Sequence, residues 1–159
     1  MDFDLINVGI ADLAVSASPN ILRTILGSCV GICMYDPKIK IGGLSHIMLP
    51  SSKRASSNFK KYADTAIPFM IDEMIKLGSD KSRLVVKLSG GANMFKYTES
   101  SLVADIGLNN INSVREVLSN FNIPILSEDV GGDRGRTIDF YLESGDLKIK
   151  IIGEDSKII

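Results

Sequence analysis

The sequence predicts an α+β fold in which mostly antiparallel strands form packed sheets flanked by two outer helices. Three observations predict this class. The first third is rich in short Val-, Ile- and Leu-containing stretches, two later segments carry apolar residues three or four positions apart, and the last third is again strand-like. A chain of 159 residues fits one domain, residues 1–159, with room for a substantial core.

The first third contains five predicted strands, at residues 5–10, 13–17, 21–26, 30–35 and 41–48. The Asp36-Pro37 pair ends the fourth strand and predicts a hairpin into the fifth. A turn centred between Pro37 and Lys38 would place Cys29 opposite His46, so the sequence predicts that these two residues lie on neighbouring strands.

An amphipathic helix is predicted over residues 57–77, where the apolar period changes to three or four. Ser56 or Ser57 would cap its start and Gly78 would end it. Pro68 lies inside this segment and is predicted to kink or split the helix.

The remaining elements alternate in type. Residues 83–88 predict a buried strand and residues 108–121 a second helix. The last third predicts a β-meander with hairpin turns at 131–135 and 144–146; its strands are residues 123–130, 136–142 and 147–152.

The composition excludes several classes of function. With 18 basic and 19 acidic residues, the chain has no global field that would attract nucleic acid or anionic lipid. It contains no apolar run of the roughly 18 residues that a membrane helix needs, and its acidic start is unlike a secretory signal. We therefore expect a cytoplasmic protein with reduced cysteines, not embedded in a membrane and without a nucleic-acid partner.

A cysteine and the lone histidine are the candidates for chemistry. His46 is the only histidine, and Cys29 follows a Gly27-Ser28 pair whose flexible backbone would let the Ser28 and Cys29 amides form an oxyanion hole. A nearby imidazole would lower the thiol pKa, so Cys29 should react with iodoacetamide well below pH 8. The hydroxyl of Thr24 or Ser28 would orient the imidazole. Taken singly, His46 and Cys29 are each more typical of core positions than of catalytic ones.

A zinc site is the main alternative chemistry for these side chains. Two cysteines four positions apart on a strand lie about 13 Å from each other, which is too far for one ion. The sequence therefore favours Cys33 as a core residue and predicts no metal. The glycine pairs at 42–43, 90–91 and 131–132 match no phosphate-loop pattern and are interpreted as turns.

Three segments are distinctive when taken together. They are Thr-Ile-Leu-Gly-Ser-Cys-Val-Gly-Ile-Cys at 24–33, Gly-Gly-Leu-Ser-His-Ile-Met-Leu-Pro at 42–50 and Ser-Gly-Gly-Ala-Asn-Met-Phe at 89–95. In this combination they resemble the CheD family of chemoreceptor glutamine deamidases. The resemblance implies that glutamine side chains on methyl-accepting chemotaxis receptors are hydrolysed to glutamate with release of ammonia. It also implies a cysteine-hydrolase fold in which packed β-sheets lie between outer helices, an α/β/β/α-like arrangement.

The resemblance also implies site residues and partners. The family's catalytic cysteine and histidine fall on Cys29 and His46, and its threonine falls on Thr24, next to Arg23. No metal or organic cofactor is implied, and the expected partners are the receptors and the CheC phosphatase. Two other functions stay open: a non-catalytic adaptor that binds CheC and receptors, and a redox sensor that pairs Cys29 with Cys33.

Overall fold

The computed structural model describes residues 2–52, 58–94 and 105–159, and within them ten strands form two five-stranded sheets. The strands are β1 (Leu5–Asn7), β2 (Asp12–Ala17), β3 (Ile21–Leu26), β4 (Val30–Asp36), β5 (Ile41–Ile47), β6 (Val85–Gly90), β7 (Ile125–Val130), β8 (Arg136–Tyr141), β9 (Leu147–Lys150) and β10 (Lys157–Ile158). Sheet 1 has the order β1-β3-β8-β9-β10 and sheet 2 the order β2-β5-β4-β6-β7. Most neighbours are antiparallel, whereas β1 and β3, and β6 and β7, pair in parallel.

Two α-helices cover one face of sheet 2, α1 at Ala63–Lys76 and α2 at Ile106–Asn120. One apolar cluster fills the space between the helices and sheet 2, and a second cluster lies between the two sheets. The α+β class with packed sheets is confirmed. In the described part of the chain, the layer order is helices, sheet 2, sheet 1.

The position of sheet 2 in the middle explains the burial of its central strands. Every residue of β4 and β5 is buried, because helices cover one face and sheet 1 covers the other. Strand β8 of sheet 1 alternates buried and half-buried residues, since only its inner face meets sheet 2.

The hairpin between β4 and β5 is confirmed, but its predicted register is wrong by two residues. Gly31 lies opposite His46 and Asp36 lies opposite Ile41. The loop therefore spans residues 37–40, and Lys40 closes it with a positive φ of 53° and an amide hydrogen bond to the Asp36 carbonyl. Cys29 consequently lies just before β4 and does not pair with His46.

The predicted meander of the last third is also wrong. Strand β7 joins sheet 2 beside β6, and the chain then crosses to sheet 1, where β8 lies between β3 and β9. Residues 131–135 are thus a link between sheets, helped by positive φ angles at Gly131 and Gly132. The buried Arg136 side chain supports this link by donating to the carbonyls of Gly90, Asp129 and Gly131. The hairpin between β8 and β9 is confirmed.

Both predicted helices are present with altered starts. Helix α1 runs unbroken through Pro68, because the face that contains Ala66, Ile67 and Met70 is fully buried against sheet 2. Ser56 and Ser57, the predicted caps, lie outside the described residues. A short 3-10 turn at Phe59–Lys61 precedes the helix.

Helix α2 begins two residues earlier than predicted. The Asp105 side chain caps it by accepting a hydrogen bond from the Leu108 amide at 2.9 Å. None of the helices in the described residues combines the length and the apolar character needed to cross a bilayer.

Candidate active site

The turn that carries Cys29 connects the end of β3 in sheet 1 to the start of β4 in sheet 2. Each of its carbonyl groups accepts a hydrogen bond from elsewhere in the fold: Gly27 from the Ala92 amide at 3.0 Å, Ser28 from the Asn110 side chain at 3.2 Å, and Cys29 from the Gly91 amide at 2.8 Å. Three consecutive carbonyls are therefore fixed in direction.

Fixed carbonyls also fix the amides of the same peptide units. In a planar trans peptide, the N–H group points opposite to the preceding carbonyl, so the Ser28 and Cys29 amides point away from the groups that hold the turn. Neither the Ser28 amide nor the Cys29 amide donates a hydrogen bond to another of the described residues. Both amides are thus available on the other side of the turn.

The end of β6 approaches this turn so closely that only glycine fits there. A Cβ atom on Gly90 would lie 2.3 Å from the Cys29 carbonyl oxygen, and one on Gly91 would lie 2.4 Å from a methyl carbon of Ile111. Both glycines also adopt positive φ angles, of 100° and 67°. Gly90 and Gly91 therefore support the Cys29 turn, and Gly90 also ends β6.

His46 projects from β5 toward sheet 1, where it meets Thr24 of β3. The Thr24 hydroxyl oxygen lies 2.7 Å from Nδ1 of His46 and 2.7 Å from the Val8 carbonyl oxygen. A carbonyl can only accept, so the single hydroxyl proton goes to Val8 and the hydroxyl accepts from Nδ1–H. This chain of bonds selects the His46 tautomer whose Nε2 atom carries a lone pair.

The lone pair on Nε2 has no competing use in the fold. His46 is 4% exposed and Thr24 is 3% exposed, so the chain of bonds is shielded from water. The Nε2 atom is buried and has no hydrogen-bond partner among residues 2–52, 58–94 and 105–159. An unpaired acceptor of this kind is suited to take a proton from a neighbouring group.

One pocket of about 610 Å³ contains every site residue that the sequence predicted. Cys29 and His46 line it together, and the remaining members are Thr24, Gly27 and Ser28. Its rim carries three exposed apolar side chains, Ile10, Ile25 and Met94. Arg23 also lines it, with its guanidinium held by the Asp139 carboxylate at 2.6 and 2.8 Å.

Burial shifts the two candidate catalytic groups toward their neutral forms. It raises the pKa of the Cys29 thiol and lowers the pKa of the His46 imidazole. The expectation of a lowered thiol pKa is therefore wrong for the resting site, because removal from water outweighs any stabilisation of the thiolate. The resting pair is a neutral thiol and a neutral imidazole.

Cys33 lies away from this chemistry. It is buried in β4, packs in the cluster between the sheets, and burial raises its thiol pKa far above the ordinary range. It does not line the Cys29 pocket. Across the described ranges, no cluster of three or more His, Cys, Asp or Glu side chains could hold a metal ion.

Comparisons with known proteins identify the family. Residues 48–151 match the CheD family model, described as CheD chemotactic sensory transduction. The chain is 50% identical over 162 residues to the probable chemoreceptor glutamine deamidase CheD of Caldanaerobacter subterraneus subsp. tengcongensis, and the alignment covers all of both proteins. The protein of the same name from Desulforamulus reducens is 52% identical over 157 residues, which cover 97% of this chain and 95% of that protein. The chain belongs to the CheD family.

The matched region of the CheD family model begins at residue 48, after His46, whereas the alignment with the first of these relatives spans the Cys29 turn as well. A solved structure supports the fold alone. A Neisseria meningitidis protein of the DUF152 family model is 8% identical, has a TM-score of 0.51, and its alignment covers 82% of this chain and 64% of that chain.

Sequence reasoning missed Asn110, which holds the Ser28 carbonyl of this CheD-family site. The signal was present in the helix pattern. Asn110 falls on the inner face of α2 with Ile111, Val114 and Leu118, and all four are buried. A polar residue at an apolar-face position indicates a specific hydrogen-bonding task. The Val8 carbonyl accepts the hydroxyl proton of Thr24. Residue type could not indicate this contact, because every residue has a main-chain carbonyl.

Proposed function

We propose that this protein hydrolyses the side-chain amide of selected glutamines on methyl-accepting chemotaxis receptors, giving glutamate and ammonia. In this proposal Cys29 is the nucleophile, His46 the general base and Thr24 the residue that orients it. Full-length relatives named as probable chemoreceptor glutamine deamidases support the reaction. The observation that carries the residue assignment is that His46, whose Nε2 atom has no hydrogen-bond partner among the described residues, lines the same pocket as Cys29.

The first half of the reaction forms a thioester. Nε2 of His46 takes the thiol proton as sulfur attacks the carboxamide carbon, and the carbonyl π electrons move to oxygen. His46 then gives that proton to the leaving nitrogen, the C–N bond breaks, and ammonia departs. A neutral resting pair suits this sequence, because the proton moves only when a substrate carbonyl is present to accept the electron pair.

The second half of the reaction hydrolyses the thioester. Nε2 accepts a proton from water as the water oxygen attacks the acyl carbon. Collapse of the tetrahedral species breaks the C–S bond, releases glutamate and returns the proton to sulfur. The balance is one glutamine side chain and one water in, one glutamate and one ammonia out, and we propose that no metal or organic cofactor takes part.

Backbone amides would stabilise the negative oxygen that forms in both halves. The Ser28 and Cys29 amides point away from the groups that hold the turn carbonyls, and Gly27 allows the turn to approach Met94. A Cβ atom on Gly27 would lie 2.7 Å from the Met94 sulfur. We assign oxyanion stabilisation to the two amides and a permissive role to Gly27.

Wider features of the proposal follow from the family. We propose that residues 1–159 act as one CheD-like deamidase domain, because the site takes residues from both sheets. We also propose that the protein acts in the cytoplasm, because the predicted substrates are side chains of the receptors' cytoplasmic part. The CheC phosphatase is proposed as a second partner on the family resemblance.

The direct test is peptide mass analysis of a receptor cytoplasmic fragment incubated with the protein. Conversion of an amide to an acid adds about one dalton to each modified peptide. Wild type and a Cys33→Ala control should produce this shift, whereas Cys29→Ala should not. Binding of the fragment without any mass shift would favour a non-catalytic adaptor, and full conversion by Cys29→Ala would reject Cys29 as nucleophile.

A further inference from the structure

A buried amide side chain joins the Cys29 turn to the residue that directly follows the histidine strand β5. Asn110 is fully buried on the inner face of α2. Its Nδ2 atom lies 3.2 Å from the Ser28 carbonyl oxygen and 2.9 Å from the Met48 carbonyl oxygen. Ser28 precedes Cys29, and Met48 follows His46 by two residues, so one side chain contacts both halves of the site.

The two acceptors determine how the Asn110 amide is oriented. Carbonyl oxygens cannot donate, so the atom that contacts both of them is the NH₂ group, and both of its hydrogens are used. The Oδ1 atom is buried and lacks a partner within the described ranges. Burying an unpaired carbonyl costs folding free energy, which a leucine of similar size would avoid. Packing alone therefore does not explain an asparagine at this position.

The contact with Ser28 sets the direction of a neighbouring N–H group. The Ser28 carbonyl and the Cys29 amide belong to one planar trans peptide unit and point in opposite directions. Asn110 approaches from the helix side of sheet 2, whereas His46 points from the same sheet toward Thr24 of sheet 1. Holding the Ser28 carbonyl toward α2 consequently aims the Cys29 N–H at the pocket.

We propose that Asn110 is a positioning residue that aims the Cys29 amide at the oxyanion of the tetrahedral intermediate. The other two turn carbonyls are held by main-chain amides, so among the described side chains Asn110 alone performs this task. The contact with Met48 fixes the position of the turn relative to β5, which carries His46, while the Cys29 amide binds the oxyanion. The proposal rests on the proposed deamidase function and adds a residue to it.

The test separates oxyanion stabilisation from general integrity of the site. Deamidation needs an oxyanion, whereas alkylation by iodoacetamide forms a C–S bond and expels iodide without one. Asn110→Leu should lower kcat for a receptor fragment about 100-fold, which is the usual loss for one oxyanion donor. Its KM and its Cys29 alkylation rate should stay within about threefold of wild type. Asn109→Leu, an exposed neighbour on the same helix, is the matched control and should change neither.

An unchanged kcat in Asn110→Leu overturns the proposed role of Asn110. A parallel fall in kcat and in the Cys29 alkylation rate also overturns it, because that result would indicate a collapsed site. If Asn110→Leu fails to fold, Asn110→Ser replaces it. A serine hydroxyl can donate to only one carbonyl, so kcat should fall to an intermediate value, and wild-type kcat overturns the proposal. An inactive wild type rejects the deamidase function itself, whereas an active wild type with a fully active Asn110 variant rejects only this inference.

Discussion

The Thr24 hydroxyl of sheet 1 lies 2.7 Å from Nδ1 of His46 in sheet 2. This contact crosses the interface between the sheets and selects the tautomer in which Nε2 can accept a proton. The orientation of the candidate base therefore depends on how the two sheets pack, and not on the β4–β5 hairpin alone.

Removing the Thr24 hydroxyl should impair the base without removing it. Thr24→Val keeps the shape of the side chain but leaves Nδ1–H without an acceptor, so kcat for deamidation should fall about 10- to 100-fold. Thr24→Ser restores a hydroxyl and should recover most of the rate. Ammonia release under substrate saturation measures both variants. Equal rates for the valine and serine variants would show that the hydroxyl does not act through His46.

The pH dependence of the reaction should report the buried imidazole. His46 must be neutral to accept a proton, and burial lowers its pKa below the ordinary value of about 6.5. The acidic limb of kcat/KM should therefore lie below pH 6.5, with the rate nearly constant above it. Circular dichroism over the same range checks that the fold persists. An acidic limb well above pH 6.5 is incompatible with a desolvated base.

Alkylation should distinguish the two cysteines and report the resting thiol. Cys29 lines the pocket and Cys33 is 1% exposed, so iodoacetamide should label only Cys29 in the native protein. Because burial raises the Cys29 pKa, its labelling rate should keep rising above pH 8.5, the ordinary thiol value. Peptide mapping after labelling at a series of pH values measures this. Rapid labelling of Cys29 that is already complete at pH 6 would instead reveal a preformed thiolate.

The ion pair of Asp36 and Arg83, which lies away from the site, should contribute to the free energy of unfolding. Asp36 is fully buried and accepts hydrogen bonds from the Arg83 guanidinium at 2.8 to 3.2 Å. Burial alone would raise the Asp36 pKa, but hydrogen bonds from Arg83 and from nearby amides outweigh it and hold that pKa below the ordinary range. Arg83→Met should lower the free energy of unfolding by about 2 kcal/mol at pH 7, since it leaves a buried carboxylate without its cation.

The sign of the pH effect follows from the lowered pKa. The pair stabilises the fold fully above the unfolded aspartate value of about 3.9, and this contribution is lost as pH falls through the lower folded value. The difference between wild type and Arg83→Met should thus be fully present at pH 7 and shrink as the pH falls below 4 in urea titrations. Lys76→Met, at an exposed ion pair, is the control and should change stability by less than about 0.5 kcal/mol. A difference that grows on acidification would contradict the assignment.

Much of the site could be predicted from the sequence because its chemistry is local. The Gly-Ser-Cys turn and the lone His46 stand out as residue types, and their strands are bounded by visible turn residues. The register of the β4–β5 hairpin could not be predicted, because Lys40 adopts a positive φ that extends the loop. A lysine side chain does not indicate such a backbone conformation. Thr24 was one of two candidates for the orienting hydroxyl, and only the packing of sheet 1 on sheet 2 brings it to Nδ1.

The connections between sheets were harder to predict because they depend on distant pairing. The order β6, α2, β7 is typical of a crossover between parallel strands, and this signal was available. The path from β7 to β8 has no such signal, since a glycine-rich link suits a hairpin as well as a change of sheet. Arg136 resolves this ambiguity by binding three carbonyls around the link.

Acid-quenched mass analysis of the protein during turnover on a glutamine-containing receptor fragment tests whether Cys29 is the nucleophile. We expect a transient adduct, equal in mass to the substrate less ammonia, on the peptide that contains Cys29 and not on the peptide that contains Cys33. Steady ammonia release with no adduct on Cys29, persisting in Cys29→Ala, would contradict it.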